Sequence, residues 1–219
     1  MLEPLSAVGR SPSAFADALR ECGVASVLLT DDHAQVNQLA FSGAKHSLDL
    51  AATSSAPHPI NPTGDASNAT GSHATGALSQ YNAFRAGFIF SNGAMLDMDG
   101  TGDEPGGFAD TMIRFHATQS RLASELLQEL ATFIGLEPHW FESHFGVLED
   151  NSQWHLKRYY PEAGAPAISG DGQAVLLPMH TDPSLISIVV HDREGIKAGS
   201  LGLEVQVQQP GGRGSWWHE

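Results

Sequence analysis

Trp154-His155-Leu156-Lys157-Arg158-Tyr159-Tyr160, closed by Pro161, alternates roughly between bulky and polar side chains, the two-residue period of a half-buried strand. Before Asn151 the apolar residues recur at helical spacing. After it the apolar runs are short. Glu162–Gly172 is a Gly/Ala-rich loop, Ala174–Leu177 is apolar, Leu185–Val190 (LISIVV) reads as a buried strand, and Leu203–Val207 (LEVQV) alternates cleanly. Helices first and consecutive strands afterwards predict an α+β chain ending in antiparallel β-structure, not an alternating βαβ fold. The sequence contains neither a G-x-G-x-x-G nor a P-loop motif.

The helical half opens with Ser11 as an N-cap and Pro12 at the first helical position. Phe15, Leu19 and Cys22 share a face, Gly23 closes the helix, and Val24–Leu29 is a short strand-type run. Cys22 reads as a small buried hydrophobe. Asp31 or Asp32 is expected to cap a second helix carrying Val36, Leu39 and Ala40. Thr53–Ser79 is rich in Ser, Thr, Ala, Gly, Pro and Asn and has little to bury. It reads as a long loop, either an insertion or a cover beside an active-site mouth. Phe84–Phe90 reads as a strand, paired with Ala94–Met98 across Ser91-Asn92-Gly93. Asp97–Glu104 looks like part of a calcium loop, but aligning Asp99-Gly100 with the turn puts Met95 and Gly106 at ligand positions, so that reading is rejected. The strongest helix runs from about Phe108 to Ile134. Met112, Phe115, Leu122, Leu126, Leu130 and Phe133 keep a period of about 3.6, with Gly135 and Pro138 as the stop. Its apolar face is expected against a sheet. A short helix near Glu137 includes Trp140, Phe141 and Phe145. His116, His139 and His144 read as surface or satisfied core histidines.

Composition narrows the function. The 219 residues carry 11 Lys+Arg against 25 Asp+Glu, a formal net charge of −14. That argues against a nucleic-acid or anionic-membrane partner, because phosphate binding needs clustered cations. One cysteine rules out an internal disulfide framework and a Cys-based zinc site. No apolar run approaches the roughly 18 residues of a membrane span, and the N-terminal stretch lacks the pattern of a secretory signal. A cytoplasmic chain acting on a small molecule is the expectation.

His180-Thr181-Asp182 stands before LISIVV. On an extended segment residues i and i+2 point to one side, so the imidazole and the carboxylate can converge on one point. That is two-thirds of the 2-His-1-carboxylate set that holds Fe(II) on one face and leaves positions open.

Tyr159-Tyr160-Pro161, His180-Thr181-Asp182, Leu185-Ile186-Ser187-Ile188, His191-Asp192 and Gly202-Leu203-Glu204-Val205, followed by Trp216 or Trp217, stand in an informative order. The series resembles the isopenicillin N synthase-like family of Fe(II)/2-oxoglutarate-dependent dioxygenases. That family has a Y-Y-P strand, an H-T-D before an L-T-x-L strand, an acidic turn, and G-L-Q-V before a Trp. The resemblance covers about Leu156 to Trp217. More loosely, Ser11–Leu29 is similar to the helix and strand of the family's N-terminal region, and Phe133-Ile134-Gly135-Leu136 to the end of the helix before its core.

The resemblance implies N-terminal helices packed on a partial double-stranded β-helix, or jelly roll. It divides the chain into an N-terminal non-haem dioxygenase-like region (1–52), a flexible loop or insertion (53–79), a hairpin with long supporting helices (80–150) and an incomplete jelly-roll core (151–219). It implies His180 and Asp182 as iron ligands and Tyr160 as the hydroxyl for the co-substrate's carboxylate. Leu185 and Ile188 either line the pocket or fill the core. Arg158 replaces the family's Asn; it reads as a strand residue that can still meet an anionic group. The implied cofactors are Fe(II) and the co-substrate 2-oxoglutarate, with ascorbate as an allowed reductant. A small organic substrate is oxidised with O2 while 2-oxoglutarate yields succinate and CO2.

The family's second His and its Arg-x-Ser lie further downstream than Glu219 allows. His191 and His218 stand too early, and Arg213-Gly214-Ser215 precedes the Trp. The expectation is a C-terminally truncated chain with exposed sheet edges and no assigned catalytic residue. It is either an oxygenase represented by an incomplete chain or a catalytically dead β-rich binding or oligomerisation module.

Overall fold

The computed structural model describes residues 5–6, 12–53, 71–73, 84–91, 107–160, 164–170, 172, 174–182, 184–191, 204–207 and 215–218. In chain order the elements are β1 (Leu5–Ser6), α1 (Pro12–Cys22), β2 (Val27–Leu28), α2 (Asp31–Thr53), β3 (Gly71–His73), β4 (Arg85–Ser91), α3 (Phe108–Phe133), α4 (Trp140–Phe145), α5 (Leu148–Asn151), β5 (Gln153–Tyr159), β6 (Ala167–Ile168), β7 (Ala174–Val175), β8 (Glu204–Val207) and β9 (Ser215–His218). The described strands form small sheets, antiparallel except for the β1–β2 pair. The chain is thus mixed helix and strand. It divides into one compact unit of Met1–Gln38, Thr118–Leu148 and Ile188–Glu219 and another of Leu39–Ala117 and Glu149–Ser187.

In the first unit, α1 ends as its sequence predicts. Gly23 takes a positive φ of 72°, open to glycine without a Cβ penalty, and its N–H reaches the Leu19 carbonyl at 2.8 Å. The expected Ser11 cap lies outside the described residues. Phe15 packs with Leu122 and Leu126, and Leu19, Val27, Leu29, Leu130 and Ile188 close around them. The cap of α2 differs from expectation. Thr30, not Asp31 or Asp32, accepts the His33 N–H on its hydroxyl (3.4 Å), and its carbonyl accepts the Ala34 N–H (2.9 Å). The two aspartates instead fill the first turn, where the helix dipole favours negative charge. Val36 and Ala40 are buried as expected, whereas Leu39 is exposed. Gly135, at φ 81°, follows the end of α3, and the Leu136 N–H bonds back to the Ala131 carbonyl at 2.8 Å. In α4, which follows, Phe141 is buried.

In the second unit, β4 lies between β3 and β5. The β4–β5 register sets Phe88 opposite Leu156, Gly87 opposite Lys157 and Arg85 opposite Tyr159. Burial along β5 alternates: Trp154, Leu156 and Arg158 are covered, while Gln153, His155, Lys157 and Tyr159 are exposed. The covered face meets the start of α3, as the helix's stripe predicts. Phe88 and Phe108 have ring centroids 5.4 Å apart, and Phe115 meets Trp154 edge-to-face at 5.8 Å. Gly87 is required at its position, because a Cβ there would collide with the Leu156 carbonyl oxygen.

Other sequence expectations fare differently. The hairpin partner Ala94–Met98 and the Asp97–Glu104 segment lie outside the described residues. Within the Thr53–Ser79 loop, Gly71–His73 pairs with β4; 54–70 and 74–79 lie outside the described residues. LISIVV is not a buried strand. It joins no described ladder, Leu185 and Val189 are exposed, and Ile186, Ile188 and Val190 are partly covered. An apolar run states only that a segment can be buried; one-sided cover leaves every second residue in water.

Candidate metal site

His180 and Asp182 occupy an irregular segment that follows β7 in the second unit. Although the segment is in no described ladder, the two side chains do converge. His180 Nε2 stands 3.3 Å from Asp182 Oδ1. The other ring nitrogen, Nδ1, lies 2.9 Å from the Pro178 carbonyl oxygen. A carbonyl only accepts, so Nδ1–H donates to it, and Nε2 faces the carboxylate either as a second N–H or as a lone pair. With Nε2 bare, two lone pairs at that separation repel each other. A cation between them, either a proton or a metal ion, turns the repulsion into attraction.

The second carboxylate oxygen is also held. Ser187 donates its hydroxyl to Asp182 Oδ2 at 2.7 Å, and Ser184 Oγ lies 2.8 Å from Ser187 Oγ. The Ser187 hydrogen bond is the largest cause holding the Asp182 carboxyl below its ordinary pKa; partial burial opposes it, and the charges of His180 and Lys157 add to it. The carboxylate is therefore ionised across the neutral range. The side chains of His180 and Asp182 are 37% and 52% exposed, so solvent and ligands reach the point between them.

The donor set fits a divalent first-row metal. Bonds to such ions run about 2.0–2.2 Å, so two donors 3.3 Å apart can share one ion. A carbonyl on the far nitrogen of a ligating imidazole is the usual outer-shell arrangement, since it selects the tautomer and aims the ring. Among the described residues, no His, Cys, Asp or Glu gathers with this pair into a group of three able to hold a metal.

Tyr160 makes its described contacts elsewhere. Its N–H donates to the Phe84 carbonyl at 2.7 Å, and the Arg158 guanidinium sits over its ring, 5.1 Å from the centroid. Arg158 meets an anionic group, the Asp49 carboxylate of α2, whose pKa it lowers as the largest cause. Leu185 is exposed, which removes it from the core; Ile188 packs on the core of the first unit. His139 pairs with Glu142 at 3.1 Å, and His144 stacks on Trp140 with its Nδ1 2.7 Å from the Trp140 carbonyl. His116 stands edge-on to Trp154.

Three participants were not legible beforehand: the Pro178 carbonyl, Ser187 and Lys157. A carbonyl has no sequence signature. Ser187 carries a weak one, because Asp182-Pro183 favours turn initiation and so a chain that comes back on itself. No family model matches the chain, and neither a curated protein nor a solved structure matches it. No helix among the described residues is long and apolar enough to cross a membrane.

Proposed function

We propose that His180 and Asp182 hold a divalent metal ion, and that the chain is an oxidoreductase of the Fe(II)/2-oxoglutarate-dependent dioxygenase type, with a jelly-roll-type core. The supporting observation is the 3.3 Å approach of the His180 Nε2 to the Asp182 carboxylate, with the Pro178 carbonyl on the other ring nitrogen. Bound Fe(II) with 2-oxoglutarate supplies oxidising power for a small organic substrate, with succinate and CO2 as products. The chain's own groups have separate tasks. His180 presents Nε2, and the Pro178 carbonyl keeps the Nδ1 proton in place. Asp182 supplies negative charge, and Ser187 holds the carboxylate's orientation through Oδ2. Partial exposure of the pair leaves coordination positions for co-substrate and O2.

A second reading is a binding module without turnover. The ligand count favours it, since two protein donors among the described residues hold Fe(II) more weakly than three. Two measurements separate the possibilities. Mn(II) titration should show binding to the wild type and none to Asp182→Ala, with circular dichroism unchanged; equal affinity in both proteins rejects the site. Incubation with Fe(II), 2-oxoglutarate and O2 should then release succinate if the chain is an oxygenase, and none if it only binds.

A further inference from the structure

The hydroxyls beside Asp182 form a chain whose direction follows from a count of hydrogens. An ionised carboxylate only accepts, so the single hydroxyl hydrogen of Ser187 goes to Asp182 Oδ2, 2.7 Å away. In its contact with Ser184, 2.8 Å between the two Oγ atoms, Ser187 is then left to accept. Ser184 is therefore the donor, and the chain runs from Ser184 to Ser187 to Asp182. A hydroxyl that accepts while it donates is polarised and donates more strongly. The backbone brings the three groups together. Asp182 and Ser187 are five residues apart, a separation that an extended chain would stretch to about 17 Å. The chain instead bends at Ser184 and Leu185, and the Ser184 hydroxyl closes that bend onto Ser187, three residues on. Both serines are exposed, so water competes for each contact, and an unguided Ser187 side chain would divide its time among the staggered rotamers. The Ser184 hydroxyl favours the rotamer that aims Ser187 at the carboxylate.

We infer that Ser184 is a positioning residue for Asp182: acting through Ser187 it fixes Oδ2, and so leaves Oδ1, 3.3 Å from His180 Nε2, as the oxygen offered to a divalent ion. This role rests on the metal site proposed above. The pair is thus held from within its own segment, by the Pro178 carbonyl before it and the two serines after it, although that segment joins no described ladder.

Titration of Mn(II) into the full chain, followed by electron paramagnetic resonance, tests it on the wild type, Ser184→Ala, Ser184→Thr, Ser187→Ala and the double alanine variant. Ser184→Ala should weaken binding about two- to tenfold, the effect of one hydrogen bond. Ser184→Thr, which keeps the hydroxyl, should restore it. In the Ser187→Ala background Ser184→Ala should change nothing further, because its route to the carboxylate is already cut. An unchanged affinity in Ser184→Ala, a loss that Thr does not restore, or losses that add in the double variant each overturn the role. If the wild type binds no Mn(II), the metal reading fails by itself, and the Hα–Hβ couplings of Ser187 in the metal-free chain decide whether Ser184 sets its rotamer. A single rotamer in the wild type that averages in Ser184→Ala supports the role, and equal couplings in the two proteins overturn it.

Discussion

Asn37 of α2 and Gln119 of α3 form a buried amide pair, and breaking it tests how the first unit fixes the pairing of its helices. Gln119 is 0% exposed and Asn37 4% exposed. The Gln119 Nε2 donates to Asn37 Oδ1 at 2.5 Å, which leaves Gln119 Oε1 and Asn37 Nδ2 without a hydrogen-bond partner among the described residues. Asn37→Leu strands the whole Gln119 amide in a dry interior. An orphaned buried polar group costs about 1–3 kcal/mol, and Gln119→Met does the same to Asn37. The double variant removes one bond worth about 1 kcal/mol net, but also removes two atoms that were already unsatisfied. It should therefore unfold near the wild-type midpoint or above it. The expected coupling between the sites is on the order of 2 kcal/mol. Urea unfolding of the four proteins measures it. Single effects that add to the double within about 0.5 kcal/mol would show that the pair is not a closed polar unit and refute the reasoning.

Two further outcomes follow from the hydrogen bonds. Ser187→Ala should weaken Mn(II) binding by about 10–100-fold, the usual effect of losing a group that orients a metal ligand; electron paramagnetic resonance titration measures it, and an unchanged affinity denies Ser187 that task. Glu142 is held below its ordinary pKa, first by the Ser124 hydroxyl and then by His139. A lowered folded pKa gives stability that is present above the unfolded value and lost as pH falls through the folded one. The stability gap between wild type and Glu142→Gln should therefore be present above the ordinary glutamate value of 4.5 and shrink as the pH falls below it. A gap that stays constant over that range contradicts the assignment.

Local chemistry made much of the chain legible. Pro12, Gly23 and Gly135 mark helix ends through backbone preferences that need no distant partner, and of the stripe from Met112 to Phe133 all but the exposed Phe133 are buried or partly covered. The alternation from Trp154 to Tyr159 likewise marks a strand, whose covered face the structure shows to be that of Trp154, Leu156 and Arg158. His180 and Asp182, two residues apart, converge although their segment joins no described ladder; the interval in the sequence allows that convergence without requiring it. Tertiary structure decided which partners those elements met. β4 pairs with β3 and β5 because strand pairing depends on which edges the folded chain brings together, and no local signal names the edge. LISIVV was left half in water for the same reason: its apolar residues needed a second covering layer, and the run itself does not specify one. The Pro178 carbonyl on His180, the Ser187 hydroxyl on Asp182 and the Lys157 charge near it belong to the same class. Each depends on where the folded backbone places an acceptor, a donor or a charge, and that is a property of the assembled chain.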